Sequence, residues 1–243
     1  ALRTGSLGHE DIARLELPYT PDMIDAFRLM VGGTILAARL ACGLWPEKVD
    51  SRIAVHLGGG LHHAFPDHGE GFCPFNDVAV AVRVLQQQGI ARTAIVDLDV
   101  HQGNGTAHIF AGDPDVFTCS LHQQHNYPAV KPPSALDVGL PDGAGDERYL
   151  RALEGILEQV AASEPGCVFY LAGADPYEDD QLGGLRLTKD GLRRRDRLVI
   201  DMCRTLGVPL IVVLAGGYAR QVADTVAIHA ATVEEAKAVL LRE

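Results

Sequence analysis

The chain has 243 residues, of which 47% are apolar and 22% are charged, and its 32 acidic and 21 basic residues give a formal net charge of −11. This composition is typical of a globular protein and excludes a low-complexity or collagen-like chain. The acidic balance also argues against a nucleic-acid partner, because a chain of net negative charge is repelled by phosphates. A cationic substrate, such as a lysine side chain or a polyamine, is compatible with the acidic balance.

Short apolar runs alternate with helical segments along the chain. In chain order we expect a helix over residues 21–41, a strand over 52–57, a helix over 76–88, a strand over 93–98, a helix over 103–111, a strand over 115–121, a helix over 146–162, a strand over 166–171, a helix over 188–206, a strand over 208–214 and a helix over 221–241. The runs are rich in Ile, Val and Leu, as in strands that are buried on both faces. No linker divides the sequence, so the alternation predicts one α/β domain over residues 1–243, with a mostly parallel sheet between two layers of helices.

Two further features of the chain bear on its surroundings and its function. Five cysteines without a C-x-x-C pair predict neither a disulfide framework nor a thiolate zinc site, which favours a reducing, cytoplasmic compartment. No apolar run approaches the roughly 18 residues needed to span a bilayer, and no signal peptide opens the chain, so we expect no membrane partner. The sequence leaves the oligomeric state open. The long Pro- and Gly-rich loop over residues 123–145 is expected to carry function.

Polar residues and glycines follow the predicted strands. They occupy residues 58–63, 97–105, 120–122, 172–175 and 215–218. In open α/β sheets, ligands bind outside the carboxyl ends of the strands. These segments together contain three aspartates, four histidines, a tyrosine and several glycines, so we expect a functional site at that edge of the sheet.

Asp99, His101 and Asp175 predict a site for one divalent metal. Strand alternation would place Asp97, Asp99 and His101 on one side of the backbone, where they are costly unless they are paired or bind a metal. Asp99, His101 and Asp175 offer two oxygens and one nitrogen, and they leave positions for water and substrate. An isolated D-x-H would indicate a helix cap and a buried hydrogen-bonded histidine. The third carboxylate, after another strand, favours the metal, which is Zn²⁺ or Fe²⁺.

His62 and His63 follow three glycines and predict a pair of acid–base groups. In a turn, both rings can reach one pocket, although two exposed loop histidines are the alternative interpretation. Asp97 would orient one imidazole and favour its charged form. Asn104 would orient the other ring without adding charge, which makes that ring the better base near neutral pH.

Three aromatic residues have two interpretations each. Tyr218, after two glycines, is placed to polarise a carbonyl near a metal, or it packs at a strand end. Phe72 and Tyr127 line a narrow apolar channel, or they belong to the core.

The motifs GGGLHHA, GFCPFND, DLDVHQGNG, SLH, AGADP and LAGGY, in this order and spacing, resemble the zinc-dependent histone deacetylase family. The resemblance extends from about Pro18 to the C-terminus, and residues 178–185 resemble the class IV branch and its bacterial homologues. It implies the arginase/deacetylase α/β fold and hydrolysis of acyl-lysine amides, in a protein or in a small acylated amine.

The resemblance also implies a role for each motif residue. Zinc would be held by Asp99, His101 and Asp175, and a structural potassium ion by Asp97, Asp99, the backbone of His101, Ser120 and Leu121. The catalytic groups would be His62 paired with Asp97, His63 paired with Asn104 as base and then acid, and Tyr218. The substrate would contact Gly71, pass Phe72 and Tyr127 in the acyl-lysine tunnel, and meet Leu182 near its mouth.

Two departures from the family pattern affect these expectations. Family members carry several tens of residues, including a first strand, before the point that matches Ala1, so the resemblance implies that this N-terminal segment is lacking. Class I enzymes place an aspartate on the rim loop to bind the peptide backbone, whereas the matching position here holds Tyr19. Peptide binding in the class I manner is therefore not expected.

Two alternative functions remain open at this stage. An acylpolyamine amidohydrolase would share the site and would use acidic rim residues, for which Glu178, Asp179 and Asp180 are candidates. A catalytically silent homologue that binds acyl groups or small ligands is the other alternative, although a sensor needs neither the full ligand set nor Tyr218.

Overall fold

The computed structural model describes residues 2, 4–46 and 51–240. The described strands are β1 (Ile53–His56), β2 (Thr93–Asp97), β3 (Val116–Gln123), β4 (Leu136–Leu140), β5 (Cys167–Leu171) and β6 (Leu210–Val213). The helices are α1 (His9–Leu15), α2 (Pro21–Ala41), α3 (Asp77–Gln87), α4 (Asn104–Ile109), α5 (Asp146–Ala162), α6 (Lys189–Leu206) and α7 (Val222–Leu240). Each predicted helix and strand is present. Two positions used in the sequence analysis lie outside the described residues. They are Ala1, before which family members carry a further segment, and Leu241, where the last helix was predicted to end.

The six strands form one sheet in the order β1-β6-β5-β2-β3-β4, and every pair of neighbours is parallel. From β2 the chain builds outward through β3 to β4, and it then returns to β5 and builds in the other direction through β6. The direction of winding therefore changes between β2 and β5. Ligands of open α/β sheets bind at the carboxyl ends of the strands at such a switch point.

Helices cover both faces of the sheet, which confirms the predicted three-layer α/β/α arrangement. On one face, α5, α6 and α7 pack on alternate strand residues, such as Val96, Tyr170 and Val212. On the other face, α2 and α3 pack on the intervening residues, such as Ile95 and Phe169. This alternation explains why β2, β5 and β6 are buried at every position and consist mostly of apolar residues.

The structure differs from the sequence prediction at the edges of the fold. The predicted loop 123–145 contains the edge strand β4, where partly buried and exposed residues alternate from Leu136 to Gly139. This strand escaped prediction because Asp137 and Gly139 have low strand propensity. Helix α1 was also not predicted. Strand β1, expected to be buried on both faces, is only partly buried because it forms the opposite edge of the sheet.

Helix α6 has the end residues that the sequence predicts. The hydroxyl of Thr188 accepts a hydrogen bond from the N–H of Gly191 at 2.9 Å, and the helix ends at Gly207 in the left-handed conformation, with φ of 65°. The N-cap interaction satisfies one of the N–H groups that the first turn leaves without a partner.

We expect Thr188→Ala to lower the free energy of unfolding by about 1 kcal/mol, the usual contribution of an N-cap hydroxyl. Urea unfolding followed by circular dichroism would measure the change. Thr205→Ala is the matched control, because Thr205 lies in the last turn of the same helix and is exposed. Alanine is the better helix former there, so this control should lose no stability. Equal losses in both variants would contradict the capping role.

Candidate active site

A cavity of about 260 Å³ lies at the carboxyl ends of the central strands. Ten of the residues singled out in the sequence line it: His62, His63, Gly71, Phe72, Asp99, His101, Tyr127, Asp175, Leu182 and Tyr218. Two more, Asp97 and Asn104, contact the histidine rings without lining the cavity. Ser120 and Leu121 lie within β3, where Ser120 pairs in register with Asp97.

Asp99 and His101 reach the cavity from a bend that follows β2. The strand ends at Asp97, whose Oδ1 accepts the N–H of Asp99 at 3.2 Å, and Asp99 Oδ1 accepts the N–H of His101 at 2.9 Å. Each aspartate thus closes a turn onto the residue two positions later, which is a common use of this side chain. The prediction that strand alternation brings Asp97, Asp99 and His101 to one side is wrong, because the strand has already ended.

The side chains of Asp99, His101 and Asp175 converge on one point. Their candidate ligand atoms all lie within 4.8 Å of one another. Nδ1 of His101 is 3.0 Å from Asp99 Oδ1 and 3.5 Å from Asp175 Oδ2. The other oxygens are oriented by backbone N–H groups, since Val100 donates to Asp175 Oδ1 and Gly216 donates to Asp99 Oδ2, each at 2.9 Å.

These three residues fit a metal ion on two observations. Asp175 is fully buried, and its Oδ2 atom has no hydrogen-bond partner among the described residues. A Cβ at position 216 would lie 2.3 Å from this oxygen and 2.7 Å from Asp99 Oδ2, so only glycine leaves the space beside them open. A buried carboxylate oxygen without a partner is costly unless it binds a cation.

The electrostatics of the cluster favour positive charge. Burial opposes the charged form of His101, but the contacts with Asp175 and Asp99 outweigh it and raise the pKa of His101 to about 10. Burial, together with the charge of Asp99, raises the pKa of the Asp175 carboxyl to about 7. The buried carboxylates of Asp99 and Asp175 thus bind a proton tightly, and a divalent cation would compete with that proton for the space between them.

His62 is paired with a buried aspartate. Its Nδ1 lies 2.7 Å from Asp97 Oδ2, and its Nε2 lies 3.8 Å from Asp99 Oδ1. Burial lowers the pKa of His62, but the two aspartate charges outweigh this effect and raise it to about 9. At neutral pH the ring is therefore charged.

His63 lies in a neutral environment. Its ring centroid is 4.0 Å from that of His62, and its Nδ1 lies 2.7 Å from Asn104 Oδ1. Burial, and then the charge of His62, hold the pKa of His63 well below its usual value. An amide oxygen only accepts hydrogen bonds, so Nδ1 carries the proton and Nε2 has a free lone pair. The two neighbouring rings thus have pKa shifts of opposite sign, raised at His62 and lowered at His63.

The wall of the cavity at Phe72 is built on a tight turn. The N–H of Cys73 donates to the carbonyl of Glu70 at 2.9 Å, and the two residues between them have positive φ, 51° at Gly71 and 66° at Phe72. Positive φ is strained for phenylalanine. Helix α1 stabilises this conformation, because its last carbonyls accept the N–H groups of Gly71 and Phe72.

Glycine is required at position 71 for a second reason, which is the close approach of two side chains. A Cβ there would lie 2.9 Å from His63 Cδ2 and 3.1 Å from the hydroxyl oxygen of Tyr127. The Tyr127 ring packs edge-on against His63, with centroids 4.9 Å apart. The Phe72 ring lies 6.0 Å from that of Tyr218 across the cavity. The aromatic residues therefore line the cavity and are not buried in the core.

The buried carboxylate of Asp180 positions the backbone of Tyr218 and of Leu182, whereas the sequence had made Asp180 a candidate for an acidic rim. Asp180 accepts the N–H of Tyr218 on Oδ2 at 2.6 Å and the N–H of Leu182 on Oδ1 at 2.8 Å. Only 7% of Asp180 is exposed, so it is no part of an acidic rim. Glu178 and Asp179 do not line the cavity either.

Two acidic residues near the cavity were missed. Glu16 lines it from the end of α1, and Glu70 accepts hydrogen bonds from Asn104 Nδ2 and from the Tyr127 hydroxyl. No sequence signal distinguishes either from the other acidic residues of the chain, except that Glu70 directly precedes the GFCPFND motif.

The described helices include none that is both long enough and apolar enough to cross a membrane.

The chain is similar to known proteins over most of its length. The Histone deacetylase domain family matches residues 4–233. An uncharacterized protein of Picosynechococcus sp. is 45% identical, over 93% of this chain and 73% of its own length. Histone deacetylase 2 of Arabidopsis thaliana is 35% identical, over 82% of this chain and 52% of its own length.

The fold is also shared with a solved structure. The crystal structure of the HDA15 HD domain superposes with a TM-score of 0.76 and 28% identity, over 100% of this chain and 74% of that chain. The chain thus spans from about half to three quarters of the length of these proteins. The arginase/deacetylase α/β fold is confirmed, and the chain belongs to the histone deacetylase family.

Proposed function

We propose that this chain is a metal-dependent amide hydrolase that removes an acetyl or longer acyl group from lysine side chains. Membership of the histone deacetylase family supports amide hydrolysis as the reaction. The observation that carries the proposal is the 2.7 Å contact between His63 Nδ1 and Asn104 Oδ1, which leaves Nε2 to accept a proton in the cavity that Asp99, His101 and Asp175 also line. A base and a metal-ligand set in one cavity are what water-dependent amide cleavage requires.

Asp99, His101 and Asp175 would hold the metal, with Zn²⁺ as the proposed ion and Fe²⁺ as the alternative. When bound, the metal polarises the substrate carbonyl and lowers the pKa of a water molecule. A structural K⁺ remains part of the proposal, with ligands from Asp97, Asp99, the backbone of His101, Ser120 and Leu121.

The cavity walls would orient the substrate. The acyl-lysine side chain enters between the rings of Phe72 and Tyr127, whose apolar faces exclude water from its methylene groups. Gly71 brings the backbone close to the substrate amide, and Leu182, 43% exposed, contacts the substrate near the mouth. These contacts would place the acyl carbonyl beside the catalytic groups and restrict its motion.

His63 would carry out the proton transfers, while Tyr218 and His62 would stabilise the negative charge that develops on the substrate. His63 Nε2 takes a proton from the attacking water, whose oxygen bonds to the acyl carbon. The Tyr218 hydroxyl donates a hydrogen bond to the carbonyl oxygen as negative charge develops on it. The C–N bond then breaks as protonated His63 donates its proton to the departing amine. His62, kept charged by Asp97, electrostatically stabilises the negative charge on the carbonyl oxygen.

An acylpolyamine amidohydrolase is the second candidate. Glu16 at the cavity favours it, since its carboxylate would attract a second ammonium group of such a substrate. Steady-state rates on acetylspermidine and on acetyl-, butyryl- and longer acyl-lysine peptides, with zinc-reconstituted protein, would separate the two. A kcat/KM at least ten times higher for acetylspermidine than for every peptide would replace the lysine proposal with the polyamine one.

A catalytically silent binding homologue is a third candidate. The catalytic groups Tyr218, His63 and His62 all line one cavity, and a protein that only binds acyl groups has no need of them. Absence of turnover on every acyl amine, in protein shown to contain zinc, would favour this candidate.

A cytoplasmic location is part of the hydrolase proposal that opens this subsection. It rests on the five free cysteine thiols.

Metal content tests the proposed ligand set. Wild-type protein reconstituted with Zn²⁺ should contain about one equivalent, and Asp175→Ala should contain far less, because three protein ligands are the minimum for such a site. Elemental analysis after gel filtration would measure both. His63→Ala is the control and should keep the metal, since His63 is not a ligand. Loss of zinc in His63→Ala would contradict the ligand assignment.

His63→Ala should lower kcat on an acyl-lysine substrate by about 10²-fold or more, the scale of a lost general base. The measurement uses protein with full zinc content, so that the effect of the base is separated from loss of metal. A kcat within a few fold of wild type would exclude His63 as the base.

Tyr218→Phe should lower kcat by about 10²–10³-fold, the usual effect of removing one donor to a developing oxyanion. Affinity for a hydroxamate should change far less, because chelation supplies most of that binding and the phenyl ring retains its packing. Stopped assays and calorimetric titration would measure the two quantities. Unchanged turnover would leave Tyr218 only a packing role at the end of a strand.

A further inference from the structure

Glu70 lies behind the proposed base and contacts two groups of the site. Its Oε1 atom accepts a hydrogen bond from Asn104 Nδ2, and it accepts a second from the Tyr127 hydroxyl at 2.7 Å. Its Oε2 atom lies 3.5 Å from His68 Nε2. About a fifth of the side chain is exposed, whereas Asn104 is buried. None of the motifs that indicated the site includes Glu70.

The contact with Glu70 determines which way the Asn104 amide faces. An asparagine amide has a donor end and an acceptor end of nearly the same shape, so packing alone hardly distinguishes its two orientations. A carboxylate oxygen only accepts from an amide, and it therefore selects the orientation in which Nδ2 faces Glu70. In this orientation Oδ1 faces His63 Nδ1 at 2.7 Å.

The amide orientation in turn determines the tautomer of His63. With Oδ1 beside it, Nδ1 carries the proton and Nε2 has the lone pair that a base needs. If the amide rotated by half a turn, Nδ2 would face Nδ1, and the ring would place its proton on Nε2. In that tautomer the ring cannot accept a proton on the cavity side.

We propose that Glu70 is a positioning residue that fixes the base tautomer of His63 through the amide of Asn104. The same oxygen accepts the Tyr127 hydroxyl, so the wall of the cavity and the base share one anchor. The inference rests on the proposed function of His63, but it makes a separate statement about which nitrogen of the ring carries the proton.

Glu70→Ala should lower kcat about tenfold to a hundredfold, the usual effect of removing a group that orients a catalytic residue, with zinc content unchanged. Glu70→Gln should recover most of the loss, because its amide oxygen accepts from the same two donors. Asp67→Ala is the matched control, since Asp67 is an exposed acid in the same loop and carries the same charge. A loss in Asp67→Ala equal to that in Glu70→Ala would overturn the proposal in favour of a general charge effect.

A double-mutant cycle separates positioning from general support of the fold. In an Asn104→Ala background, Glu70→Ala should have no further effect on kcat, because the amide through which Glu70 acts is gone. Tyr127→Phe should mainly raise KM, since it leaves the contact between Glu70 and Asn104 in place. Effects of Glu70→Ala that multiply with those of Asn104→Ala would overturn the proposal. If Glu70→Ala does not fold, Glu70→Leu provides the same comparison with the volume retained.

The tautomer itself can be observed without any activity. Nitrogen-15 NMR of histidine-labelled, zinc-reconstituted protein should show His63 protonated on Nδ1 in wild type and in Glu70→Gln, and on Nε2 or on both in Glu70→Ala. An unchanged tautomer in Glu70→Ala would overturn the proposal even if kcat falls. If no acyl amine is turned over, the function proposed above fails, while this spectrum still decides the role of Glu70.

Discussion

Burial of negative charge at the carboxyl ends of β2 and β5 is the constraint on which the rest of the site depends. Asp97, Asp99 and Asp175 are at most 3% exposed and lie at the point where the winding of the sheet changes direction. Leaving such groups ionised and unpaired in a protein interior costs several kcal/mol each. The surrounding groups are arranged accordingly, since two histidines face the carboxylates and backbone N–H groups approach their outer oxygens. Among the described residues, Oδ2 of Asp175 has no hydrogen-bond partner, although His101 Nδ1 lies 3.5 Å from it.

The central part of the fold could be predicted from the sequence because burial on both faces leaves a strong pattern. Strands β2, β5 and β6 are mostly apolar and buried at every position, and helices α2 and α6 carry recognisable residues at their ends. The edges could not be predicted in the same way. Strand β4 alternates between partly buried and exposed positions over only five residues, and α1 buries a single side chain. Neither therefore has a hydrophobic pattern that distinguishes it from a loop.

The residues of the candidate site could be predicted when they belong to groups of polar residues that recur after successive strands. Single residues outside these groups could not be predicted. The proximity of His62 to Asp97 and of His63 to Asn104 could be inferred from motif positions. Asp180 was interpreted as a surface acid, because exposure depends on the packing of distant segments. Glu70 was not recognised, since its partners are 34 and 57 residues away in the sequence. The turns that end β2 also escaped prediction, because aspartate side chains compete with strand pairing only in the folded context.

The turn that carries Phe72 has a consequence for how the cavity moves. Its strained conformation is supported by the last carbonyls of α1, and α1 is a helix of seven residues with one buried side chain. Short helices with little buried surface open locally at low free energy, whereas the central strands open only when the whole domain unfolds. The amide hydrogens of Gly71 and Phe72 will therefore exchange with solvent at the rate at which α1 detaches. The wall of the cavity at Phe72 is therefore expected to move with α1, whereas the side that carries Asp99, His101 and Asp175 is held by the central strands.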